Sequence, residues 1–135
     1  MCGIGGLVNY NSTRVSAKEL KKIADTVKHR GPDDEGFFIY GQSDHSADLK
    51  NHQCIEKQKI PYSLGLCHRR LSIIDLSEMG RQPLMSSDGR FWLTYNGEIY
   101  NYLELREELK QHYDFKTQTD PEIILAAYSL WGEEC

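Results

Sequence analysis

Apolar residues recur along this chain with changing periods, and each change marks an element. Leu20, Ile23, Ala24 and Val27 fall at i, i+3, i+4 and i+7, the spacing of one helix face. Ser16 with Glu19 three residues on forms a capping box, and Gly31-Pro32 supplies a stop, so a helix is predicted within 16–32. A second helix is predicted over 101–112. Asn101 can cap it, Glu104 takes its third position, and Tyr102, Leu105 and Leu109 face inward. A third follows Thr119, with Asp120 as cap, Pro121 at the first helical position, and Ile124, Ala127, Tyr128 and Trp131 along one face.

Between the helices lie β-branched and aromatic runs that predict strands at 4–10, 36–40, 62–67, 70–74 and 91–95. A turn at Ser87-Asp88-Gly89 precedes the last of them. Strands in succession between helices favour an antiparallel α+β arrangement over a βαβ series. Residues 41–60 are polar and aperiodic and read as a long surface loop. After Trp131 the chain runs through Gly132, a helix C-cap candidate, into Glu133-Glu134-Cys135, which reads as a segment of a longer protein.

Composition narrows the classes. The 135 residues, 39% apolar and 27% charged, suit one ordinary globular domain. A net charge of −4 with only scattered basic residues gives no footprint for nucleic acid or an anionic membrane. No signal peptide is visible, and no apolar run approaches the roughly 18 residues of a membrane span. A cytoplasmic location with reduced thiols is expected. The four cysteines, Cys2, Cys54, Cys67 and Cys135, form no C-x-x-C pair. The spacing of His52 and Cys54 against Cys67 and His68 matches no standard metal site, so no metal is expected.

Four stretches carry candidate chemistry. At the N-terminus, MCGIGG places a thiol directly behind Met1. If Met1 is excised, one residue holds both a thiol and an α-amine near pKa 7.7–8, and the amine can act as base for its own sulfur. The competing reading is a small buried hydrophobe at a strand start. YNGEIYNY (95–102) puts Asn-Gly after an apolar strand and before a helix. Such a corner offers a side-chain amide and a backbone N–H, the donor types of an oxyanion hole, or is an ordinary turn. In CHRRLSIIDL (67–76), two adjacent arginines point to opposite faces of a strand. One can grip a carboxylate in a pocket, or both can sit at a solvated strand end. In KTQTDPEIIL, Asp120 is by default a cap, though a carboxylate there could also receive a ligand ammonium; HRGPDD (29–34), on its own, is a helix stop and turn.

Taken in order, CGIGG, HRGPDDEG, CHRRLSIIDLS followed by QPL, YNGEIYNYLELREEL and TDPEIIL closely resemble the class II glutamine amidotransferase domain. More narrowly, they resemble the glutaminase half of glutamine-hydrolysing asparagine synthetases. HRGPDD and HRRLSIIDL point to that branch and away from the sugar-phosphate and purine-biosynthetic amidotransferases. The resemblance covers nearly the whole chain outside 41–60, which is longer than usual. Pro121 stands where a small or polar residue is commoner.

The resemblance implies that Cys2 is the nucleophile exposed by Met1 removal, with Asn96 and Gly97 as oxyanion donors. It implies that Arg70 grips the α-carboxylate of L-glutamine and that the backbone of Leu71 and Ile73 lines the pocket. Glu98 and Asp120 would receive the α-ammonium, and Arg30 would be a structural arginine nearby. The implied fold is an N-terminal-nucleophile four-layer αββα sandwich with antiparallel sheets. Residues 1–135 would be one incomplete domain of it, truncated at the C-terminus. The C-terminal synthetase domain of the same parent chain would use ATP and magnesium to amidate aspartate in asparagine biosynthesis, a ligase reaction. No cofactor is expected in the segment itself, and a homodimer is compatible. The rival expectations are a relative with another acceptor (a surface sugar or secondary metabolite) and a non-catalytic glutamine-binding module.

Overall fold

The structure is a computed structural model that describes residues 1–10, 16–41, 46–49, 62–73 and 75–135. In chain order it contains β1 (Gly3–Val8), α1 (Ala17–Thr26), β2 (Asp34–Gly41), β3 (Ser46–Leu49), β4 (Tyr62–Arg70), β5 (Leu84–Met85), β6 (Trp92–Leu93), α2 (Tyr102–Leu109) and α3 (Pro121–Trp131). Short 3-10 turns lie at Lys28–Arg30, Glu78–Gly80 and Gly132–Glu134. The class is α+β with antiparallel sheets. No helix among the described residues is long and apolar enough to cross a membrane.

Four strands pair in the order β1-β4-β2-β3, all antiparallel. The register sets Gly5, Cys67 and Phe37 side by side, and one residue away Ile4, His68 and Gly36. Alternation sends these two rows to opposite faces. The first row packs against α1, where Leu20 and Ala24 close a core with Phe37, Ile39, Tyr62 and Cys67. Leu20 and Phe37 are fully buried and contribute about 2–3 kcal/mol each. The helix starts as predicted, since the Ser16 hydroxyl accepts the Glu19 N–H while Glu19 accepts the Ser16 N–H.

The opposite row faces the second half of the domain. There β5 and β6 pair, and α2 and α3 enclose Leu109, Tyr113, Ile123, Leu125, Ala126 and Ala127. Phe38 of β2 stacks on Trp92 of β6, ring centroids 4.0 Å apart, which joins the halves.

Several elements depart from the pattern. β4 ends at Arg70, and residues 71–73 of the expected strand 70–74 leave the sheet because their backbone donors turn elsewhere; residue 74 lies outside the described residues. Leu71 N–H points to the Cys2 sulfur and Ser72 N–H to the Asp33 carboxylate. The expected strand at 91–95 shrinks to Trp92–Leu93. Inside the expected loop 41–60, Gly41 ends β2 and residues 46–49 form β3 against it; residues 42–45 and 50–60, with His52 and Cys54, lie outside the described residues. The α3 face is also rotated from expectation. Ile123, Leu125, Ala126 and Ala127 are buried, while Tyr128 and Trp131 are each 37% exposed. Neither Asn101 nor Asp120 makes the predicted capping bond.

Candidate active site

The adjacent arginines of β4 diverge as strand alternation requires. Arg69 points to the α1 side. It donates to Ala24 O at 3.2 Å and Asp25 Oδ1 at 2.8 Å, and forms an ion pair with Glu35. A cation at a helix C-terminus is favourable there. Arg70 points to the other face, is 6% exposed, and donates to Ser77 O at 2.7 Å and to Asp75 O. A guanidinium has five N–H donors, so these contacts leave it able to grip a ligand while it holds the 71–77 segment in place.

Cys2 immediately precedes the edge strand β1 beside it. Its sulfur accepts the Leu71 N–H at 3.3 Å, and Arg30 Nε donates to Cys2 O at 2.9 Å. Arg30 thus fixes the Cys2 backbone from behind. Burial pushes the Cys67 thiol on the α1 face up to about 11, which makes it a poor nucleophile.

The Asn96-Gly97 corner approaches from the second half. A Cβ on Gly97 would lie 2.4 Å from the Tyr95 hydroxyl, so the tyrosine ring packs directly against this corner and would have to shift to admit a side chain. Asp120 Oδ2 accepts the Ile99 N–H at 3.0 Å, and this bond replaces the expected cap. It ties the start of α3 to the residue after Glu98. Glu122, 1% exposed, accepts the N–H of Lys116 at 2.8 Å and of Thr117 at 2.7 Å. The Thr117 and Thr119 hydroxyls bond at 2.8 Å, so the approach to Asp120 is rigid.

These elements enclose a cavity of about 370 Å³, within the usual range of small-molecule sites. Cys2, Arg70, Leu71, Ile73, Asn96, Gly97, Glu98 and Asp120 all line it; Arg30 stands behind Cys2. The cavity wall carries charges of both signs, the Arg70 guanidinium and the Glu98 and Asp120 carboxylates. Near Asp120 and Glu98, the Tyr95 phenol is pushed up, first by burial and then by those carboxylates. Among the described residues no cluster of His, Cys, Asp or Glu could hold a metal.

Sequence reasoning passed over His68, Asp75, Gln82, Tyr95 and Thr119, which also line the cavity. His68 and Gln82 both lay inside the stretches carrying the resemblance, but only the strand register and the fold of the 80–95 segment bring them to the site.

Residues 48–135 match the family described as the glutamine amidotransferase domain, and the chain belongs to that family. Over 99% of its length it is 38% identical to asparagine synthetase (glutamine-hydrolyzing) 1 of Bacillus subtilis, covering 18% of that protein. Over 99% it is also 34% identical to asparagine synthetase B (glutamine-hydrolyzing) of Escherichia coli, covering 20% of it. The chain spans a quarter or less of the length of such curated relatives.

Proposed function

We propose that this domain hydrolyses L-glutamine, with Cys2 as nucleophile after removal of Met1, and passes the ammonia to a synthetase portion of the same parent chain that amidates aspartate. The observation that carries the reading is the gathering of Cys2, Arg70, Asn96, Gly97, Glu98 and Asp120 around one cavity in a member of the amidotransferase family.

On this reading Arg70 takes the glutamine α-carboxylate, and Glu98 and Asp120 take the neighbouring α-ammonium on the same carbon. An analogue lacking either charge would leave a buried partner unpaired and be rejected. The Leu71 and Ile73 backbone lines the substrate stem. The Cys2 α-amine removes the thiol proton, and the sulfur attacks the carboxamide carbon. A C–S bond forms and the carbonyl electron pair moves to oxygen, where the Asn96 side chain and Gly97 N–H receive it. One such donor is worth about 3–4 kcal/mol. The amine then gives its proton to the departing nitrogen, ammonia leaves, and water hydrolyses the thioester to glutamate. While Met1 is attached the Cys2 nitrogen is an amide and has no such role. ATP and magnesium belong, on this reading, to the synthetase portion. The sheets are read as part of the four-layer αββα sandwich, of which residues 1–135 form an incomplete domain.

Cys2→Ala is expected to abolish ammonia release from glutamine while glutamine still binds by calorimetry. Full glutaminase activity in that variant would sink the proposal. Glutaminase activity without asparagine formation from aspartate and ATP would move the acceptor elsewhere.

A further inference from the structure

Two residues in the sequence stretches that carry the family resemblance have no part in the chemistry above: His68 beside the arginines, and Gln82 of Gln-Pro-Leu. Both are buried, His68 at 1% and Gln82 at 7% exposure, and both line the cavity wall. They meet on the backbone of one residue. His68 Nε2 lies 3.3 Å from Tyr95 O, and Gln82 Oε1 accepts the Tyr95 N–H at 2.6 Å. A carbonyl only accepts, so the imidazole proton resides on Nε2 and donates to it. Nδ1 has no hydrogen-bond partner among the described residues. Burial holds the ring neutral, with its pKa pushed down to about 4.

The location gives this pair of bonds its meaning. β6 ends at Leu93, so neither polar group of Tyr95 is held by a ladder, and two side chains from other segments take them instead. The Tyr95 carbonyl shares a rigid peptide plane with the Asn96 N–H. Fixing its direction fixes how the chain enters the Asn96-Gly97 corner. A leucine at position 68 would avoid the cost of a bare buried nitrogen but would leave the carbonyl unheld.

We infer that His68 and Gln82 clamp the Tyr95 backbone and thereby aim the Asn96 amide and the Gly97 N–H at the oxygen of a bound carboxamide. They are positioning residues for the oxyanion, and this role rests on the glutaminase reading. Neither residue holds the α-carboxylate or α-ammonium. Loss of the clamp therefore weakens binding of the tetrahedral species more than binding of glutamine.

The test uses the complete protein with Met1 processed and the glutamine analogue whose carboxamide is replaced by an aldehyde. The Cys2 sulfur adds to the aldehyde carbon, the C=O π pair moves to oxygen, and the thiol proton ends there. The resulting thiohemiacetal places its oxygen at the corner. In His68→Leu and Gln82→Met, aldehyde inhibition is expected to weaken about ten- to a hundredfold, with kcat falling in parallel. KM for glutamine should move by less than about threefold. His68→Gln, which can return an N–H near the ε position, should recover most of the loss. Should His68→Leu fail to fold by circular dichroism, Gln82→Met decides the matter alone. Aldehyde inhibition equal to wild type, or weakened only as much as KM rises, overturns the clamp and leaves the glutaminase reading standing. A wild-type protein that releases no ammonia from glutamine overturns both.

Discussion

Replacing Gly31 by alanine probes how tightly the support behind Cys2 is built. Gly31 follows Arg30, whose side chain holds Cys2 O, and lies flat against the end of β4. An added Cβ would sit 2.3 Å from both the carbonyl carbon and oxygen of Arg69 and 2.6 Å from Arg70 N. The backbone angle is not at issue, since φ is −143° and any residue adopts it. The cost is purely steric. Ordinary contact begins at 3.4 Å, so β4 and the Gly31 loop must separate by about 1 Å (3.4 minus 2.3). The strand cannot yield cheaply there, because Arg69 pairs with both Gly3 and Glu35, and Arg70 with Asp34. Overpacking of this kind costs about 3 kcal/mol, offset by about 0.5 kcal/mol from the stiffer unfolded chain. The net loss of about 2.5 kcal/mol corresponds to roughly 10 °C in Tm for a domain of this size. Urea unfolding followed by tryptophan fluorescence reads it, with Trp92 on the stacked Phe38 as reporter. A Gly31→Ala midpoint equal to wild type would refute the claim that close backbone approach fixes this loop.

Other consequences follow from the same geometry. Arg70→Lys keeps the charge but loses the two-pronged grip, so KM for glutamine should rise by about ten- to a hundredfold in steady-state kinetics with a smaller change in kcat. His68 should give the domain an acid-side instability. Its pKa is lowered, mainly by burial, to about 4 from about 6.5 in the unfolded chain. Between those values the unfolded state binds the extra proton, so stability falls as pH drops through that window and levels off below it. The contribution is on the order of 3 kcal/mol, that is 2.5 units at about 1.4 kcal/mol each. His68→Gln, which does not titrate, should flatten this part of the urea-midpoint against pH curve; an unchanged slope would contradict it.

The sequence made the start of the first helix legible because a capping box and an apolar stripe mark the same segment; its end was not, since the helix stops at Thr26 and a separate 3-10 turn over Lys28–Arg30 precedes Gly31-Pro32. The third helix was legible in extent but not in phase. From Ile123 to Ala127 every residue is apolar, so periodicity cannot tell which side packs, and the buried face was misplaced. The strands at 70–74 and 91–95 were read too long because their composition is strand-like. Their backbone donors go instead to the Cys2 sulfur, the Asp33 carboxylate and the Gln82 side chain, partners that no local pattern reveals. Apart from Arg30, the site residues named from the resemblance share one cavity, since such motifs record residue types and order. The clamp on Tyr95 was not legible, because it depends on β4 register and on a segment 13 residues away.

On the proposed reading Cys2, once terminal, forms the covalent bond to substrate. Acid quenching of the complete protein during glutamine turnover, followed by peptide mass spectrometry, detects that bond itself. The predicted result is a γ-glutamyl thioester on a peptide that begins at Cys2. Ammonia release with the adduct on another residue, or on a peptide that still begins with Met1, would contradict it.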